Sequence, residues 1–129
     1  MCFDYGSKRI GVAVAEVAQS PIPLTTVDAS ADVWSQIGHL LAKHQPSTLV
    51  VGWPRGLDGQ HTAQTYLVEE FARQLGARYG TKVSLQDEAL SSEEAQKRLD
   101  PKLTVRKQRE RIDAVAAQVI LEDYLRESR

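Results

Sequence analysis

Four acidic side chains stand where carboxylates are costly unless they have a partner. Asp4 lies in "CFDYGSKRIGVAV", among Cys2, Phe3, Tyr5 and a following apolar run. Asp87 and Glu88 stand side by side after "TKVSLQ", and Asp113 opens the apolar part of "RIDAVAAQVILEDYL". An unpaired charge in such surroundings is penalised by desolvation or neutralised by a shifted pKa. Brought together, acids from three separate segments offer hard oxygen ligands to one or two divalent cations, and the cation offsets their mutual repulsion. Structural roles compete with this reading: Asp4 as a cap on the Gly6 turn, Asp87 and Glu88 as acids ahead of a helix, Asp113 as the salt-bridge partner of Arg109 or Arg111.

The elements that would have to position these acids follow from periodicity. Cys2 to Tyr5 reads as a strand, Gly6-Ser7 as a turn and "RIGVAVAE" as its antiparallel partner. Pro21 and Pro23 in "SPIPLTTV" remove backbone donors and suit an outer strand. "DVWSQIGHLLAKH" is an amphipathic helix with Asp28, Ser30 or Asp32 as its cap and Pro46 beyond its end. "STLVVGW" is a buried strand running into the loop "PRGLDGQ". A helix over about 62–79, with the stripe Leu67, Phe71 and Leu75, precedes the strand "TKVSLQ". Ser91 and Glu94 are spaced as a capping box, Pro101 interrupts, and a long terminal helix presents Ile112, Val115, Ala116, Val119, Ile120 and Tyr124. Ala117 and Leu121, four and eight residues beyond Asp113, turn that acid towards protein.

This is one α/β domain over residues 1–129, a mixed five-stranded sheet flanked by helices. A right-handed crossover makes the strand after the first helix parallel to the first strand. Asp4, the "WPRGLDG" loop and Asp87-Glu88 then fall at one carboxyl-terminal rim, where such sheets carry their sites.

Composition narrows the function class. At 42% hydrophobic and 26% charged the chain has the make-up of a soluble globular protein. The single Cys2 excludes an intrachain disulfide framework and favours the cytoplasm; no secretory pattern or membrane-length apolar run is present. The net charge of -1 means that a nucleic-acid surface would have to be a local basic patch. Arg106, Lys107, Arg109 and Arg111 form the densest basic run, directly ahead of Asp113, and would meet phosphates without reading bases; the competing reading is a solvated helix turn.

Taken together, "FDYGSKRIGVAV", "LVVGWPRGLDGQ", "DEALSSEEA" and "RIDAVAAQVILEDYL" resemble the YqgF/RuvX family of RNase H-like proteins over nearly the whole chain. The family is described as a Holliday junction resolvase and is implicated in processing the 5' end of pre-16S ribosomal RNA. The resemblance implies an RNase H-like fold and phosphodiester hydrolysis with Mg2+, or Mn2+ in its place. It implies Asp4, Glu88 and Asp113 as metal-binding and catalytic carboxylates. Adjacent side chains on a strand point to opposite faces, so one acid of Asp87-Glu88 faces the metal; Glu88 is preferred, with Asp87 beside it. Lys8, Arg9, Arg55 and Ser92 join the basic run as nucleic-acid contacts. The implied partners are structured RNA or branched DNA, a pre-ribosomal particle, and a second copy in a homodimer, since a two-fold junction favours one; no membrane is involved.

Three departures from the family pattern bear on activity. Ala89 stands where the family carries a basic side chain, Trp53, Arg55 and Gly56 alter the glycine-containing loop, and only Met1-Cys2-Phe3 precede Asp4, leaving it on a short strand. Trp53 reads first as packing and second as a base-stacking group. A nucleic-acid-binding ribosome-maturation factor with weak or no cleavage is therefore an alternative. A second is an actin-like nucleotide-binding domain, because "DYGSKRIG" also resembles a phosphate-binding hairpin, although 129 residues leave no room for the two-domain cleft.

Overall fold

The alternation within "CFDY" places Cys2 and Asp4 on one face of a sheet and Phe3 and Tyr5 on the other, and the remaining elements sort onto those faces. The computed structural model describes residues 1–16, 19–54, 59–88 and 91–128. Strand β1 (Cys2–Tyr5) turns back into β2 (Arg9–Val14), and β3 (Ile22–Asp28) pairs antiparallel with β2. Helix α1 (Val33–His44) leads to β4 (Leu49–Trp53), α2 (Ala63–Tyr79) leads to β5 (Val83–Asp87), and α3 (Ser91–Arg98) and α4 (Val105–Glu127) follow. The sheet order is β3-β2-β1-β4-β5, with β1, β4 and β5 parallel to one another.

Each face has its own core. Phe3, Ile10, Val12, Leu49 and Val51 meet Ile37 of α1 and Val68, Phe71 and Leu75 of α2. Cys2, Ala13 and Val50 meet Ala117, Ile120 and Leu121 of α4, and Ala95 of α3 packs on the outer side of that helix against Val115 and Ala116. Pro23 lies in β3 at the sheet edge, as its missing donor requires. Asp32 caps α1 by accepting from the Ser35 N–H at 3.3 Å, whereas Asp28 accepts from Ser30 instead. Leu67, expected on the buried stripe of α2, is 51% exposed; the helix turns Thr65, Val68 and Ala72 inward beside Phe71 and Leu75. Among the described residues no helix is long and apolar enough to cross a membrane.

The short β1 is braced from outside. The Met1 carbonyl accepts from the Val50 N–H at 2.9 Å, and the Met1 ammonium donates to the Thr48 carbonyl at 3.1 Å. Tyr5 stacks on Phe71 with ring centres 4.7 Å apart, and its carbonyl accepts from Gln64 at 3.2 Å. These contacts hold the residues on both sides of Asp4.

Gly11 pairs with Asp4 across the β1–β2 ladder and sets how closely α4 approaches the sheet. A Cβ there would lie 1.9 Å from the Asp113 carbonyl oxygen and 2.8 Å from the Ala114 nitrogen, both backbone atoms that cannot swing aside. Gly11→Ala is expected to destabilise the fold by about 3 kcal/mol or more by overpacking, read as a lower urea midpoint; an unchanged midpoint would show that the helix does not pack this closely.

Candidate active site

Even-numbered residues of β1 face α4, and the same parity governs β5. Gln86 donates to Glu127 of α4 at 2.7 Å, so the next residue of that parity, Glu88, also points to this side of the sheet. The Glu88 backbone stays close to the end of β4, its N–H donating to the Trp53 carbonyl at 3.4 Å. From there its carboxyl meets that of Asp4, to which it is hydrogen-bonded. Asp87 is exposed, and its contribution is electrostatic, raising the pKa of Glu88.

Gly52 makes room for the pair. A Cβ on it would lie 2.6 Å from Glu88 Oε2 and 2.7 Å from Ile120 Cδ1. Glycine inside an otherwise apolar strand is the signature of such a close approach. Gly52 and Gly11 were the positions at which "LVVGW" and "RIGVAV" carried this signal.

Burial, the neighbouring Glu88 carboxylate with its hydrogen bond, and the more remote Asp113 push Asp4 up to about 8. Burial also raises Glu88, with Asp87 adding to the effect, while the hydrogen bond from Asp4 opposes it. The two carboxyls thus titrate as a unit that retains one proton at neutral pH, with Asp4 donating to Glu88. Cys2, fully buried two residues before Asp4, has its thiol pushed up, chiefly by burial, and is inert packing.

Asp113 reaches this side of the sheet from α4, but its ion-pair partner is neither Arg109 nor Arg111. Arg9 Nε donates to Asp113 Oδ2 at 2.7 Å. Arg9 shares strand parity with Gly11 and Ala13, whose side faces α4, which is why it arrives there from β2. Sequence reasoning set Arg9 among the phosphate contacts and did not find this bond, since the partners are 104 residues apart. Among the described residues no three acids, histidines or cysteines stand together as a complete cation cage, and Asp113 remains one step from the Asp4–Glu88 pair.

The other expected contacts are dispersed. Lys8 is exposed at the β1–β2 turn and Ser92 is exposed on α3; Lys107 is exposed on the first turn of α4. Arg55 and Ala89 lie outside the described residues. Trp53 is half-buried, donating to Glu69 Oε1 at 3.3 Å with His61 edge-on at 5.5 Å, so it packs at the rim.

The chain resembles known proteins across almost its full length. A family model described as "RuvX: Holliday junction resolvase" matches residues 1–127. A protein of Methylobacillus flagellatus named "Putative pre-16S rRNA nuclease" is 44% identical over 126 residues, covering 95% of this chain and 86% of that protein. One of the same name from Nitrosococcus oceani is 41% identical over 128 residues, covering 97% and 84%. The solved Thermus thermophilus RuvC structure superposes with a TM-score of 0.54 at 13% identity, covering 98% of this chain and 94% of that one, a likeness of the RNase H-like fold. A family model that spans residues 1–127 and relatives 44% and 41% identical over nearly the whole chain show that the chain belongs to the RuvX family.

Proposed function

We propose that this protein is a divalent-metal-dependent nuclease that hydrolyses phosphodiester bonds in structured nucleic acid. The observation that carries the reading is the meeting of Asp4 and Glu88 over Gly52, two half-buried, hydrogen-bonded carboxyls whose pKa values are both raised, chiefly by desolvation. Such a pair fits a hard cation: its donors are all oxygen, its repulsion is unrelieved by any lysine or arginine among the groups that shift it, and the missing Cβ of Gly52 leaves the room. Asp4, Glu88 and Asp113 would hold Mg2+ or Mn2+, with Asp87 beside them. When bound, the ion would supply an activated water and stabilise charge on the phosphorus and the leaving oxygen.

The chain's own residues do the positioning. β1 and the end of β5 present Asp4 and Glu88 from parallel strands, and Asp4 must release its proton for both to act as ligands. Arg9 restrains the Asp113 carboxylate beside them. The pre-16S rRNA nuclease names of relatives at 41% and 44% identity and the Holliday junction resolvase description of the family model support structured RNA and branched DNA alike as the substrate class. A pre-ribosomal particle as the setting and a homodimer as the form belong to the same reading. A maturation factor that binds without cutting is the second reading, and the Arg9–Asp113 bond favours it, because that bond occupies one of the three carboxylates.

Cleavage of a precursor 16S leader and of a matched four-way DNA junction in Mg2+ separates these readings. Asp4→Asn and Asp113→Asn are each expected to lower the rate by at least about 100-fold, more than the loss of an outer partner of a metal ligand costs. Metal-dependent product from neither substrate would establish the binding factor, and product at the wild-type rate from both variants would sink the acid site.

The raised Asp4 also predicts a pH dependence. Between an unfolded carboxyl near pH 3.8 and a folded one near 8, the native state binds the extra proton, so metal-free stability falls as pH rises through that window. In chelator, Asp4→Asn should gain a few kcal/mol relative to wild type on going from low pH to above 8, as measured by urea denaturation. Mg2+ should restore wild-type stability at high pH and leave the variant unmoved. The same wild-type-to-variant difference at both pH values would refute the buried pair.

A further inference from the structure

A groove of about 990 Å3 runs between the outer strand β3 and the N-terminal half of α4, on the Arg9 side of Asp113. Four arginines line it, Arg9, Arg106, Arg109 and Arg111, against two carboxylates, Asp28 and Glu110. Asp28 accepts from both the N–H and the hydroxyl of Ser30, Glu110 pairs within the groove with Arg106 at 3.4 Å, and Arg9 is held by Asp113 at 2.7 Å. Arg109 and Arg111 are exposed and have no ion pair among the described residues. In a chain of net charge -1, this is a local excess of guanidinium groups around a concave surface.

The placement runs against helix stability. The first turn of α4 contains no acid, and Arg106 and Lys107 lie where the helix dipole disfavours cations. An anionic partner would relieve that conflict. The walls are also already joined, since the Thr26 hydroxyl donates to the Glu110 carbonyl at 2.8 Å across β3 and α4. The groove is therefore formed before anything enters it. Its volume is at the upper end of the roughly 300 to 1,000 Å3 of small-ligand pockets, and its Pro23, Leu24 and Thr25 side offers no array of donors that would read bases.

We propose that this groove is a second phosphate subsite that takes the sugar-phosphate backbone of the strand flanking the reacting bond, independently of base sequence. Arg9 joins it to the acid site, lining the groove while bonded to Asp113. The proposal rests on the nucleic-acid reading above for the identity of the anion, and on the groove alone for its location.

The test is equilibrium binding of short fluorescent single strands of RNA and of DNA, identical in sequence, to the full chain in chelator across a salt series. Each phosphate neutralised on a single strand contributes about 0.7 to the slope of log K against log salt, so Arg109→Gln/Arg111→Gln should reduce the slope by about 1.4 and weaken binding at least about tenfold at 0.1 M salt. Lys43→Gln, at the end of α1 on the other face of the sheet, should leave both unchanged. A reduced slope on both strands assigns the groove to the shared backbone, and one on RNA alone assigns it to RNA. An unchanged slope on both, or an equal loss with Lys43→Gln, overturns the proposal. If the wild-type protein does not cleave but the arginine variant still loses slope, the nuclease reading fails and the groove stands.

Discussion

The approach of α4 to the sheet at Gly11 is the constraint on which the rest of this structure depends. Helix backbone lies against strand backbone there, with the Asp113 carbonyl where a Cβ would be. Because Gly11 is paired with Asp4, the same contact brings a helical acid over the strand face that carries the first-strand acid. Below it, Ala13 on β2 and Ala117 on α4 are the small side chains that let the helix lie this low. Larger residues on either surface would lift α4 and carry Asp113 away from the rim.

Such closeness brings electrostatic conflict. Asp4 on β1 and Glu88 just beyond β5 are half-buried and hydrogen-bonded to each other, and the raised Asp4 relieves the repulsion by keeping its proton. Asp113 is relieved differently, by a guanidinium from β2. Two acids that share a proton and a third tied to an arginine describe a site arranged for more positive charge than its buried part contains. That is a poor arrangement for stability alone, because a half-buried pair of like acids with raised pKa values weakens the fold as pH rises. The positive charge lies instead along the exposed first turns of α4, where net charge conceals it and the helix dipole opposes it.

Much of this was legible in the chain. Alternation in "CFDYG", the apolar "STLVVGW" and the prolines near β3 specify strands, an inner position and an edge through local rules alone. The rim on which Asp4 and Asp87-Glu88 fall follows from the handedness of crossovers, so candidate ligands could be named before any geometry was known. Leu67 shows where pattern reading slips: a helical stripe can be drawn through several residues, and only the position of the sheet decides that Val68 goes in and Leu67 stays out.

The elements, their order, the acids at the strand ends and the family blocks are readable from the chain, because each depends on residues close together in it. Only contacts across the fold show that Glu88, already preferred over Asp87, meets Asp4, that Asp113 pairs with Arg9 instead of its helical neighbours, and that four arginines from two elements line one groove. Each of these is a contact between side chains on different elements, set by strand parity and by how closely a helix can pack. One missing methyl group, at Gly11 or Gly52, governs that closeness, and neighbouring residues in the chain do not encode what fills the space.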